Sequence, residues 1–271
     1  MADRNLSTYY RGGQYGTREG MIVEIPPSGF DWGGSVPPVI DPFAETVSQQ
    51  FPLGTKLTYG GRTFRYTHNG GVVQAAGALY QSVVPAAGEL DEALEDGVAV
   101  GDTGITFTQT TGADIDINTF RDGYLNVRDE TGEGNLYLIH DHIELTNSAA
   151  EEITLVDPIL VVPANAATGD LIRNPYKAVI IHPSPNTARI VGLAVRALTA
   201  SYYGWLQTSG MASVLTDGTV VIGEHVRASD GTDGSVEALV RAGTNEDEQE
   251  VGTVVAVSAS TEYSLIHLTL E

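Results

Sequence analysis

Across residues 188–240, short apolar arms alternate with tight polar turns, a rhythm an antiparallel β fold uses and a helical one cannot. Residues 190–195 are apolar and largely β-branched, and residues 202–207 (YYGWLQ) concentrate Tyr202, Tyr203 and Trp205. Val214 and Leu215 precede Asp217-Gly218, and the apolar run 220–222 follows at once. An Asp-Gly pair between apolar arms predicts a two-residue hairpin, because both central residues of a type I′ turn need positive φ. A second turn cluster, 229–234, closes the next arm.

The same pattern extends over most of the chain. Residues 51–59 and 62–68 flank Gly60-Gly61 and predict a hairpin with Phe64 and Tyr66 on one face and Arg65 on the other. Further strands are expected at 105–108, 115–117, 124–127, 136–139, 153–162, 176–182, 251–257 and 263–270. Pro158 would confine the strand it sits in to an edge or a bulge. No amphipathic helix longer than about two turns is visible. Roughly a dozen and a half short strands at this spacing suit barrels or sandwiches. The expected fold is therefore mainly β: two antiparallel barrel- or sandwich-like domains, 51–165 and 166–271, joined at the small-residue stretch 164–169. An extended N-terminal arm, 1–50, precedes them.

The arm is expected from its composition. Prolines at 26–27, 37–38 and 42 disfavour helix and central strand. Arg4, Tyr9, Tyr10, Arg11, Tyr15, Arg18, Phe30, Trp32 and Phe43 are residue types enriched at protein interfaces, which predicts an arm that orders on another subunit. Charge supports a division of roles. The whole chain carries -21, yet the first twenty residues hold three arginines against two acids. An acidic body of that magnitude repels polynucleotides and anionic membranes, so neither is expected as a partner. Cysteine is absent, excluding disulfides, thiolate metal sites and cysteine nucleophiles. No apolar run is long enough for a spanning helix, and the first residues lack the apolar segment of a secretory signal.

Little of the sequence points to catalysis. His140, His142 and Glu144 would share one face of a regular strand and could converge on an ion, but Ile139, Ile143 and Leu145 facing a core explain the same alternation. Residues 230–234 lack the closing acid of a calcium loop and read as a turn. The five carboxylates in residues 88–97 read as a surface loop or short helix. No nucleophile elbow, phosphate loop or zinc-protease motif occurs, so neither an enzyme nor a cofactor or metal is expected.

The succession G-x-x-I-x-x-P at 169–175, V-G-L-A at 191–194 and Y-Y-G-W-L-Q-T-S-G at 202–210 continues through L-T-D-G-T-V at 215–220 and G-E-H-V at 223–226. S-D-G at 229–231, G-T-V at 252–254 and the 263–268 ending follow. This resembles the C-terminal β-barrel of tailed-bacteriophage virion proteins, particularly the decoration or cement proteins that coat the head. The opening F-P-L-G-T-K-x-x-Y-G-G-R-T-F-R-Y at 51–66 is similar to the start of the same proteins. The resemblance implies a non-enzymatic protein made in the host cytoplasm that binds the major capsid protein on the outer surface of the virion. It also implies a homotrimer, for which Tyr202, Tyr203 and Trp205 are the interface candidates. The competing expectations are a tail, baseplate or fibre protein of the same kind of virus and, as an enzyme, a depolymerase.

Overall fold

The computed structural model describes residues 13–16, 20–26, 40–95, 97–165, 167–240 and 249–271, and the described residues contain strands and turns without a helix. The chain folds as two units, one built from both ends of the sequence (1–83 and 175–271) and one inserted between them (84–174).

The first unit opens with β1 (Gly13–Gly16), β2 (Ile22–Ile25), β3 (Lys56–Tyr59), β4 (Arg62–His68) and β5 (Leu79–Gln81). The inserted unit holds β6 (Glu92–Leu94), β7 (Gly104–Thr108), β8 (Tyr124–Val127), β9 (Leu136–His142), β10 (Ala150–Leu155) and β11 (Thr168–Ile172). The chain then returns with β12 (Ile180–Ile181), β13 (Ile190–Ala194), β14 (Tyr203–Leu215) and β15 (His225–Ala228). It ends with β16 (Val236–Ala238), β17 (Glu250–Ala256) and β18 (Tyr263–Thr269).

In the first unit these strands form one twelve-stranded sheet whose main path runs β1-β2-β3-β4-β14-β18-β17-β15-β16, with β5, β12 and β13 attached beside it. The hairpin at Gly60-Gly61 forms as expected, with both glycines at positive φ (58° and 73°), which the type I′ turn requires. The longest strand, β14, joins the two halves of the sheet. Its first half pairs with β4 and its second half with β18. Between them an extra residue interrupts the pairing, since Gln207 lies opposite Phe64 and Ser209 opposite Thr63. The buried Gln207 amide donates to the carbonyls of Ser209 (3.0 Å) and Met211 (2.9 Å), and Gly210 turns the chain at φ 87°. This is a β-bulge, which bends a strand and sharpens its twist. Separate apolar cores lie on either side of the bend, one around Val23, Leu57, Phe64 and Trp205, the other around Val214, Val226, Val254 and Ile266.

The inserted unit is a closed antiparallel barrel in the order β10-β7-β6-β11-β8-β9. Phe107, Phe120, Leu125, Ile139 and Ile153 fill it, each buried side chain worth about 1.5–3 kcal/mol relative to exposure. Closure leaves no unpaired strand edge.

Several expectations change. A barrel is present, but in the middle of the chain, whereas the C-terminal strands belong to the open sheet. The break expected at 165/166 falls inside the barrel, because β11 pairs with both β6 and β8. Residues 51–83 belong with the C-terminal half because β4 pairs with β14. The Asp217-Gly218 hairpin does not form. Gly218 has positive φ but Asp217 does not, and the Asp217 amide instead donates to the Val236 carbonyl at 2.7 Å. The second turn cluster does close a hairpin, β15–β16, where the Ser229 hydroxyl oxygen accepts from the amides of Gly231 and Thr232. Pro158 lies beyond the end of β10, a strand paired on both sides.

The arm expected at 1–50 is corrected in part. Residues 22–25 form a strand flanked by β1 and β3, and Met21, Val23, Ile25 and Ile40 are buried in the unit's own core. Pro26 follows this strand instead of interrupting it.

Candidate interaction surface

The rings expected at an inter-subunit contact sit at the start of β14, opposite β4. Trp205 pairs with Tyr66 and Tyr203 with His68 across the ladder. Trp205 is 6% exposed, edge-on to Tyr66 at 5.1 Å between ring centroids and 5.6 Å from Phe51. Tyr203 is half-buried and stacks on Tyr66 at 6.0 Å. The Tyr66 hydroxyl oxygen accepts the Gln50 amide at 2.9 Å, and burial pushes its pKa up to about 12. Burial also raises the Tyr203 hydroxyl, and burial followed by the charge of Lys177 lowers the His68 imidazole. Trp205 therefore fills this unit's own core, which corrects its assignment to a trimer contact, and Tyr203 packs against that core with part of its ring exposed. Tyr202 is half-buried, its carbonyl taking the Asn69 amide at 2.8 Å.

Of the residues expected in the arm, Phe43 is held on the body. It is 38% exposed, edge-on to Phe64 at 6.4 Å, with the Arg62 guanidinium 5.4 Å from its ring centroid. Tyr15 lies in β1 opposite Val23. Arg4, Tyr9, Tyr10, Arg11, Arg18, Phe30 and Trp32 lie outside the described residues.

The polar clusters stabilise the backbone. The stretch 88–97 contains β6, a barrel strand, and two of its carboxylates are buried. Glu92 (2% exposed) accepts from the Thr110 amide at 2.6 Å, the Thr110 hydroxyl at 2.6 Å and the Thr111 hydroxyl at 2.8 Å. Glu89 accepts from the Ala86 amide and pairs with Arg173. Replacing Glu92 by Ala removes three hydrogen bonds to a charged acceptor and is expected to cost about 2–3 kcal/mol of barrel stability. Glu92→Gln, which keeps an acceptor, should cost less. Urea denaturation of the two variants checks this, and equal losses would assign the effect to the negative charge of the acceptor, since Gln keeps the volume of Glu.

His140, His142 and Glu144 do not share a face. The register of β9 against β10 shifts between Thr154 and Leu155, so His142 lies opposite Ile153 and Ile139 opposite Leu155. This bulge turns His142 inward (3% exposed) and Ile143 outward (53%), reversing the expected alternation. His142 Nε2 accepts the Phe120 amide at 2.9 Å, so its proton sits on Nδ1 and points to the Ile143 carbonyl. Among the described residues, no group of three or more His, Asp or Glu is arranged to hold a metal ion. In the β15–β16 hairpin, buried Arg227 pairs with Asp230 (3.3 Å) and Glu237. Burial raises the Glu237 carboxyl against the opposing pull of Arg227, and Asp230 and Asp217 add to the rise.

Another surface was not foreseen from the sequence. Beyond the bend, β14 and β18 point alternate residues away from their core. Met211 lies opposite His267, Ser213 opposite Leu265 and Leu215 opposite Tyr263, with Thr253 of β17 next to His267. Met211, Tyr263 and Leu265 are 45%, 50% and 37% exposed. No Asp, Glu, Lys or Arg stands on this face from Ser209 to Leu215 or from Tyr263 to Thr269. The signal was present in the sequence, since all thirteen residues of β14 lack a formal charge.

No protein-family model, curated protein or solved structure matches this chain.

Proposed function

We propose that this chain is a structural protein of a virus particle that binds the outer surface of a tailed-bacteriophage capsid and stabilises it. The observation that supports this reading is the spatial grouping of the segments that carry the resemblance, all but 169–175, which supplies most of β11 in the barrel. Residues 51–66 supply β3 and part of β4, and residues 191–268 supply β13, β14, β17 and β18. These lie far apart in sequence yet are hydrogen-bonded neighbours in one sheet. A strongly acidic body is also consistent with a protein that stands on a shell and stays clear of the packaged nucleic acid. Contact with the major capsid protein is assigned to the leader residues Arg4, Tyr9, Tyr10, Arg11 and Arg18, with Phe30 and Trp32 as further anchors. The stretch 20–26 belongs to the body and is withdrawn from that role.

The test is to mix the purified protein with preformed empty shells and to count copies per particle by quantitative mass spectrometry. Hundreds of copies per particle, together with shells that withstand higher temperature when coated, are expected. A handful of copies per virion would move the chain to the tail or baseplate, and hydrolysis of host polysaccharide by the purified protein would make it a depolymerase.

A further inference from the structure

We infer that the uncharged outer face of β14, β18 and β17 is a self-association surface, and that its occupant is a second copy of this chain. This inference goes beyond the capsid reading and stands without it.

Contiguity comes from register. Met211, Ser213 and Leu215 stand directly opposite His267, Leu265 and Tyr263, and His267 stands beside Thr253, so these side chains form one continuous plate. Charges resume at its margins, with the His225–Glu250 pair on the β15 side, Asp217 and Glu262 just past the strand ends, and Arg65 paired with Glu271 beyond β18. A centre containing Met and Tyr but no charge, surrounded by a charged rim, is the compositional signature of a protein interface.

Charge also selects the occupant. A basic partner would be drawn to the carboxylates that give this chain its -21, and it would gain nothing electrostatically from the neutral plate. A second copy carries the same -21 and is repelled wherever carboxylates face carboxylates. Two copies meeting plate to plate bring no like charges into contact at the centre. A sheet face is also self-complementary under a twofold axis, the commonest symmetry of homo-oligomers.

β14 and β18 contribute seven residues each at about 3.4 Å and β17 adds its stretch 251–256, with Glu250 on the rim; at about 4.8 Å between strands the plate is roughly 14 by 24 Å at its widest. Even with its rim this is smaller than the roughly 800 Å² per partner of a standard stable interface, so pairing is expected in the micromolar range.

The test is sedimentation equilibrium of the full-length protein from about 5 to 200 µM, spanning that range. The expected result is a mass rising from the 28.7 kDa monomer toward twice that value. The dimer fraction should increase from low to moderate salt, because screening reduces the repulsion between the two acidic bodies. Leu265→Glu and, independently, Ser213→Glu should each weaken pairing at least tenfold. Unchanged near-ultraviolet circular dichroism would show that each variant is folded, and Ser213, already exposed, provides the milder replacement. A wild-type chain that stays monomeric to 200 µM, an oligomer that survives both substitutions, or association that falls with added salt would each overturn the inference.

Discussion

Replacing Val23 by Asp is expected to cost about 4–5 kcal/mol, most of the stability of a small protein unit, and to leave the chain largely insoluble at 37 °C. Val23 is completely buried in an interior strand, opposite Tyr15 of β1 on one side and Leu57 of β3 on the other. Its neighbours in the core are Met21, Ile25, Leu57 and Phe64. A carboxylate there would lose its hydration, and no cation lies among those core neighbours to offset the loss. The control is one residue away. Ile22 is 44% exposed on the other face of β2, so Ile22→Asp should change stability by less than about 0.5 kcal/mol. Urea denaturation followed by tryptophan fluorescence reports both. If the two variants unfold at the same midpoint, β2 is no interior strand and residues 21–25 return to the arm. For the same reason, a truncated chain beginning at residue 31 should fold poorly, because it lacks the first three apolar residues of that core.

The second large effect is expected at the bend of β14. Gly210 has φ 87°, and a β-carbon there would lie 2.4 Å from the Gly61 carbonyl oxygen and 3.1 Å from Arg62 Cα. Both obstacles are backbone, so they can move only by displacing the β3–β4 turn. Gly210→Val combines a β-branched residue at positive φ, about 1–3 kcal/mol, with overpacking, about 1–3 kcal/mol. The expected loss is about 3–5 kcal/mol, with a changed near-ultraviolet signal from Trp205 and Tyr203 on the same strand. Gly218→Ala is the comparison. Its φ is 71°, but nothing lies within 4 Å of the added carbon, so only the backbone strain of about 1 kcal/mol applies. Equal losses at 210 and 218 would mean that the contact with Gly61 carries no weight and that the bend tolerates side chains.

Local signals in the sequence were sufficient wherever local chemistry decides the structure. The Gly60-Gly61 turn and the alternation of β18 are both encoded within a few residues of where they act. What could not be read depends on distant partners. Met21, Val23 and Ile25 do alternate with Ile22 and Glu24, but nothing local says that β3, some thirty residues on, will cover them. The Asp217-Gly218 pair has turn chemistry, yet β14 takes β18 as its neighbour and the turn closes no hairpin. Buried Gln81, Gln109 and Gln207 hydrogen-bond irregular backbone, a role invisible in a pattern that classes glutamine as polar. At the candidate sites, the bulge in β9 separated His140 from His142, and tertiary packing turned Trp205 from a surface ring into a core ring. The uncharged plate was legible as composition, but its contiguity needed the register.

The insertion of a closed barrel between β5 and β12 has a kinetic consequence at the ribosome. The β3–β4 hairpin emerges about 130 residues before β14, its partner in the sheet, which at roughly 5–20 residues per second means a wait of about ten seconds. During that interval Phe64 and Tyr66 have no Trp205 to cover them, while the barrel, whose strands are all local, can already complete itself. Growing chains should therefore be most vulnerable to proteases and most dependent on chaperones in that window, and codon changes that slow elongation through residues 175–203 should lower the yield of folded protein.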